Sequence, residues 1–160
     1  MATPLFESET GSEAATAEIG TRLAPLLRTG DVLALDGPLG SGKTVLLRAL
    51  IRARMESPDL TVASPTFNLV QIYEPAAGPP LWHVDLYRLE HPDELTELGL
   101  EEAFGEAITL IEWADRATGF LPADRLSITF GCGERGRRRL VFSGAPDWHQ
   151  RLAPAFATAS

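Results

Sequence analysis

A chain of 160 residues, 44% hydrophobic and 22% charged, is long enough to bury the core of one domain. It holds no apolar run of about 18 residues that could cross a membrane, and its net charge of −8 argues against nucleic-acid binding by the chain alone. The single cysteine, Cys132, can form no internal disulfide, which suits a reducing cytosol.

Met1–Thr21 is acidic and rich in Ser, Thr and Ala, without the basic and apolar regions of a secretory signal. Glu13 to Leu27 reads as a helix with Ala17, Ile19, Leu23, Leu26 and Leu27 on its apolar face, weakened by Gly20 and Pro25. Residues 32–36 form a short apolar strand, followed by a glycine-rich loop and by a helix over 43–55. Thr61–Ala63 and Asn68–Tyr73 read as extended. Pro75 to Pro80 is a turn that joins Asn68–Tyr73 to Leu81–Leu86 as an antiparallel hairpin. Asp93–Glu97 and Glu101–Gly105 are helical turns, and Ala107–Glu112 is a further strand. Leu126–Phe130 and Leu140–Phe142 form a C-terminal hairpin. Its tip, Arg135-Gly-Arg-Arg-Arg139, is either a solvated charged turn or a contact for RNA or an acidic partner.

These elements predict an α/β fold of three layers. Its mixed sheet would have a parallel core around the glycine loop and antiparallel hairpins at the edges. One domain over residues 1–160 is expected, with 1–10 and 150–160 as flexible tails. Charge is unevenly spread. Residues 56–115 hold 13 acids and one basic residue, Arg88, whereas residues 116–160 hold seven arginines against three acids.

The loop, Gly37-Pro38-Leu39-Gly40-Ser41-Gly42-Lys43-Thr44, is a Walker A phosphate-binding sequence between a strand and a helix. Lys43 is the only lysine beside 13 arginines. A slim ammonium reaches β- and γ-phosphates where a planar guanidinium would not fit. Gly37, Leu39, Gly40, Ser41 and Gly42 supply a nest of backbone N–H groups. Lys43 adds the charge, the Thr44 hydroxyl would ligate Mg²⁺, and Val45 follows on the helix.

Phosphoryl chemistry also needs an acid at the end of a neighbouring strand, to hold Mg²⁺ or order water. Leu81-Trp-His-Val-Asp85 and Ile108-Thr-Leu-Ile-Glu112 both end that way, although surface or helix-capping acids would read alike. Thr66, in Ser64-Pro-Thr-Phe67, could face a γ-phosphate or sit in a plain turn. His83 is a general base or a packed core histidine. Trp113 is a core anchor or a partner-facing aromatic.

Taken in order and spacing, Leu39-Gly-Ser-Gly-Lys-Thr44, Ser64-Pro-Thr-Phe67, His83-Val-Asp-Leu-Tyr-Arg88, Glu97-Leu-Gly-Leu100 and Ile111-Glu-Trp-Ala-Asp115 resemble the TsaE (YjeE) family over roughly residues 10–145. The resemblance implies a small bacterial ATPase that binds ATP or ADP with Mg²⁺ and hydrolyses ATP slowly alone. It implies TsaB and TsaD as partners, with tRNA met only through that complex, in making threonylcarbamoyladenosine beside the anticodon. Thr44 and Glu112 would then stand beside Mg²⁺, Asp85 would orient or activate water, and Thr66 would be the loop sensor. Thr10 and Thr16 loosely match the segment that covers adenine. Val45 stands where the family often has a second threonine.

Two other classes fit a Walker A loop. A small-molecule kinase would carry an Arg-bearing lid and an acceptor segment, but the stretch after Phe67 is a hairpin with one arginine. A low-turnover interaction switch would, if GTP-dependent, need an Asn-Lys-x-Asp guanine reader, which a chain whose only lysine is Lys43 does not have, whereas an ATP-dependent switch overlaps the ATPase reading.

Overall fold

The computed structural model describes residues 4–156. In chain order its elements are β1 (Pro4–Thr10), α1 (Glu13–Leu23), β2 (Val32–Asp36), α2 (Lys43–Met55), β3 (Val70–Tyr73) and β4 (Leu81–Asp85). Then follow α3 (Asp93–Glu97), α4 (Leu100–Glu106), β5 (Ile108–Glu112), β6 (Leu126–Cys132), β7 (Arg138–Ser143) and α5 (Pro146–Phe156). All seven strands share one sheet in the order β1-β7-β6-β2-β5-β4-β3. The four central strands, β6, β2, β5 and β4, are parallel; β7 pairs antiparallel with β6 and β1 antiparallel with β7 on one flank, and β3 pairs antiparallel with β4 on the other.

β2, β4 and β5 are buried along nearly their whole length, so β2 reads as an apolar run and β5 as one broken only by Thr109, while β6 alternates. One face packs on α1, α2 and α5 through Leu46, Leu50, Ile128 and Phe142. The other packs on α3, α4 and the turn at Ala114–Ala117, through Val84, Leu95 and Ile111. Gly20, a weak point in the helical pattern, is where α1 meets α2. A Cβ there would lie 2.2 Å from the carbonyl oxygen of Leu46, so the approach tolerates no side chain.

Several boundaries differ from the sequence reading. The first helix stops at Leu23, and Ala24–Leu26 is a 3₁₀ turn holding Pro25, whose missing N–H ends regular helical bonding. Thr61–Ala63 joins no sheet; Arg48 and Arg52 instead hold the carbonyls of Val62 and Leu60. β3 begins at Val70, because Leu69 takes a left-handed φ of 67° and turns the chain.

The expected tails are ordered over their described residues. Residues 4–10 pair along β7, where Arg139 and Arg137 bind Glu7 and Glu9. Residues 150–156 belong to α5, whose Trp148 and Leu152 are buried and whose Arg151 pairs with Asp31 at 2.5 Å. Residues 1–3 and 157–160 of those expected tails lie outside the described residues.

Candidate functional site

β2 runs into the glycine loop, and the loop runs into α2, at the carboxyl ends of the parallel strands, where open α/β sheets bind ligands. Gly42 has φ 108°. Gly37 lies flat on β6, where an added Cβ would stand 2.7 Å from Phe130 Cβ. The first helical bond of α2 runs from Leu46 N–H to the Gly42 carbonyl, so the N–H groups of Lys43, Thr44 and Val45 have no helical acceptor and can face an anion, while the Ser41 N–H donates to the Pro38 carbonyl at 3.1 Å.

Lys43 is 4% exposed, and its Nζ donates to the carbonyls of Gly37 (2.5 Å) and Pro38 (3.0 Å). The same ammonium sits 4.0 Å from the centre of the Trp113 ring. Burial lowers its pKa, while Glu112, Asp36 and Asp85 pull the other way. Trp113 therefore faces the loop lysine, with Tyr87 at 4.9 Å between ring centres. Its left-handed φ of 60° is costly for a bulky residue, a mark of functional constraint.

Beside Lys43 lies a network that joins four separate segments. Thr44 Oγ1 donates to Glu112 Oε1 at 2.8 Å and lies 2.9 Å from Ser64 Oγ. Ser64 Oγ donates to Glu112 Oε2 at 3.0 Å, and His83 Nε2 meets the same oxygen at 2.7 Å. Glu112 is 2% exposed. Burial alone would raise its pKa, but the bonds from His83, Thr44 and Ser64 outweigh that and hold it below the usual carboxylate value. His83, fully buried, binds the carboxylate and is no freestanding base. Asp85, opposite Glu112 in the β4–β5 register, accepts among the described residues only the Tyr87 N–H, at 2.9 Å. Burial raises its pKa.

A cavity of about 350 Å³ collects these groups. Leu39 to Val45, Ser64, Thr66, Asp85 and Glu112 line it, together with Glu13, Thr16 and Arg138 from α1 and β7. The geometry thus brings together Thr66, Asp85, Glu112 and the loop. Thr10 is not at the cavity wall; its hydroxyl lies 2.8 Å from that of Thr16, which is. Gly37 stands behind the loop. Sequence reasoning passed over Ser64 and Glu13 as site residues, and it treated Arg138 only as part of a charged tip. Ser64 shares its tetrapeptide with Thr66, and both line the cavity.

Asp36, at the end of β2, accepts the Asp115 N–H at 2.8 Å, and burial raises its pKa from 3.8 to about 6. The folded state therefore binds this proton more tightly than the unfolded one, and stability falls as pH rises from about 4 to about 6. Such a shift corresponds to about 3 kcal/mol, which screening at a half-exposed carboxylate reduces to about 1 kcal/mol. Asp36→Asn should therefore be more stable than the parent by about that amount at pH 7. Thermal unfolding at pH 7 and pH 4 checks this, because the advantage should vanish at pH 4.

The residues fit a nucleoside phosphate with a hard cation. Ser41 Oγ is buried without a partner among the described residues, in the middle of the loop. All candidate metal donors are oxygens: Thr44, Glu112 and Asp85. No group of three or more His, Cys, Asp or Glu side chains among the described residues could hold a metal alone. That suits Mg²⁺, which takes few protein ligands and completes its shell with phosphate and water.

This loop, on a mixed sheet with a parallel core, defines a P-loop NTPase fold. Residues 10–140 match the family model described as "Threonylcarbamoyl adenosine biosynthesis protein TsaE", and the chain belongs to that family. A Bacillus subtilis protein named tRNA threonylcarbamoyladenosine biosynthesis protein TsaE is 35% identical over 86% of this chain and 84% of its own. A Rickettsia conorii protein of the same name is 41% identical over 65% of this chain, which spans 58% of that relative. A crystal structure of Bacillus subtilis YdiB superposes with a TM-score of 0.77 at 26% identity, covering 96% of this chain and 94% of the other. No helix among the described residues is long and apolar enough to cross a membrane.

Proposed function

We propose that this protein is a cytoplasmic ATPase that binds ATP–Mg²⁺ and supports TsaB and TsaD in threonylcarbamoyladenosine modification of tRNA. The observation that carries the reading is the buried network of Thr44, Ser64, His83 and Glu112 beside Lys43. It fixes a carboxylate and a hydroxyl where a triphosphate on the loop would present its metal-binding oxygens.

Each residue then has a task. Lys43 exchanges the Gly37 and Pro38 carbonyls for β- and γ-phosphate oxygens. The Thr44 hydroxyl donates its proton to Glu112 and so turns its lone pairs outward. His83 and Ser64 keep Glu112 ionised and oriented. Thr44 and Glu112 would hold Mg²⁺, which would supply positive charge against that growing on the phosphates. Asp85, whose raised pKa makes it a better proton acceptor, orients the attacking water. Thr66 contacts the γ-phosphate, and Tyr87 with Trp113 excludes bulk water.

The test compares ATP hydrolysis by the chain alone and with TsaB–TsaD, alongside co-purification. The expected result is slow turnover alone, a changed rate with the pair, and a complex that depends on ATP. Hydrolysis unaffected by the pair and no complex would overturn the partnership. Preference for a small-molecule phosphate acceptor over water would make the protein a kinase instead.

A further inference from the structure

The run Arg135-Gly-Arg-Arg-Arg139 is not one charged tip. Strand alternation divides it, because neighbouring side chains leave a strand on opposite faces. Arg137 and Arg139 turn to β1 and bind Glu9 and Glu7. Arg138 turns the other way and lines the cavity. It makes no ion pair or side-chain hydrogen bond among the described residues.

Sheet order says what Arg138 is for. The glycine loop follows β2. Asp85 and Glu112 come from β4 and β5, on one side of β2, while Arg138 comes from β7, on the other. Gly42 faces that second side: a Cβ placed there would stand 3.4 Å from Thr16 Cγ2 and 3.5 Å from Arg138 Cδ. A phosphate chain laid along the loop, with its metal-binding end towards Glu112, must send its nucleoside towards Thr16 and Arg138. Glu13 lines the same wall and would repel a phosphate there. We propose that Arg138 is a nucleoside-positioning residue, its guanidinium plane stacking on the base of the bound nucleotide. This rests on the nucleotide reading above, and it assigns the base-side contact to β7.

Stacking by a planar cation is a different interaction from a charge on a phosphate, and the two are separable. Binding of ADP–Mg²⁺ and of inorganic tripolyphosphate–Mg²⁺ to the full chain is compared for the parent and variants. Arg138→Ala should weaken ADP about tenfold and leave tripolyphosphate within about twofold. Arg138→Lys should recover little of the loss, since an ammonium cannot stack as a plane. Arg139→Ala, one residue along but ion-paired to β1, should change neither. Arg138→Gln, which keeps most of the stem, should match alanine and guard against a hairpin that alanine alone loosens. Unchanged ADP affinity in Arg138→Ala and Arg138→Gln overturns the proposal. So does an equal loss of both ligands, which would mean a phosphate contact, or full rescue by lysine. A parent chain that binds neither ligand fails the nucleotide reading itself, and the proposal with it.

Discussion

Lys43→Ala should weaken ATP–Mg²⁺ binding by about two orders of magnitude and abolish measurable hydrolysis, because it removes charge-assisted bonds worth about 1.5–3 kcal/mol each. Folding should be nearly unaffected. The ammonium is buried, with its charged form disfavoured by that burial, so the folded chain loses little with it. Lys43→Arg should fail almost as badly. Its fork would have to fit where a single Nζ sits between two loop carbonyls and the Trp113 ring. Titration calorimetry with ATP–Mg²⁺ checks both; an affinity within threefold of the parent would refute the loop assignment.

Glu112→Ala carries the second large effect, and it differs from what strand-end position alone suggests. A strand-end acid exposed to its metal could be removed without harm to the fold. Glu112 instead accepts from Thr44, Ser64 and His83 in a site that is 2% exposed. Truncation leaves three polar groups without their acceptor, each costing about 1–3 kcal/mol before water from the cavity relieves part of it. A net loss on the order of 3 kcal/mol, or roughly 10 °C in Tm, should accompany a fall in hydrolysis of about a hundredfold or more. Asp85→Asn separates chemistry from stability. Among the described residues Asp85 accepts only one backbone N–H, and burial already disfavours its charge. That variant should match or exceed the parent's Tm at pH 7 and lose hydrolysis. A Tm loss as large as that of Glu112→Ala would make Asp85 a structural acid.

The parts of this protein that its sequence discloses are those written in consecutive residues. The glycine loop, the apolar strands β2 and β5, and the acids that close β4 and β5 all follow from local pattern. β1 does not, because Pro-Leu-Phe-Glu-Ser-Glu-Thr is too polar to declare a strand. It exists through pairing with β7, more than a hundred residues away, and through Glu7 and Glu9 meeting Arg139 and Arg137. α5 was hidden by Pro154 within it and by its reliance on Trp148, Leu152 and the Arg151–Asp31 pair for docking. In the site, the same distinction holds. Glu112 and Asp85 were legible as strand-end acids, whereas the role of His83 depends on β4 lying beside β5. Arg138 was visible as a charge but not as a direction, since only the extent of β7 decides which arginine of the run turns inward.

The pairing of β1 with β7 also has a consequence for how the protein is made. During vectorial synthesis the glycine loop and both acids have emerged by residue 112, with the metal-side wall encoded in the first two-thirds of the chain. β1, though translated first, must wait for residues 138–143 before it has a neighbour. Until then the opposite wall has Glu13 and Thr16 of α1 but lacks Arg138. A nascent chain thus carries a phosphate loop with one side incomplete. The growing polypeptide would be a poor competitor for cellular ATP until the last strand arrives.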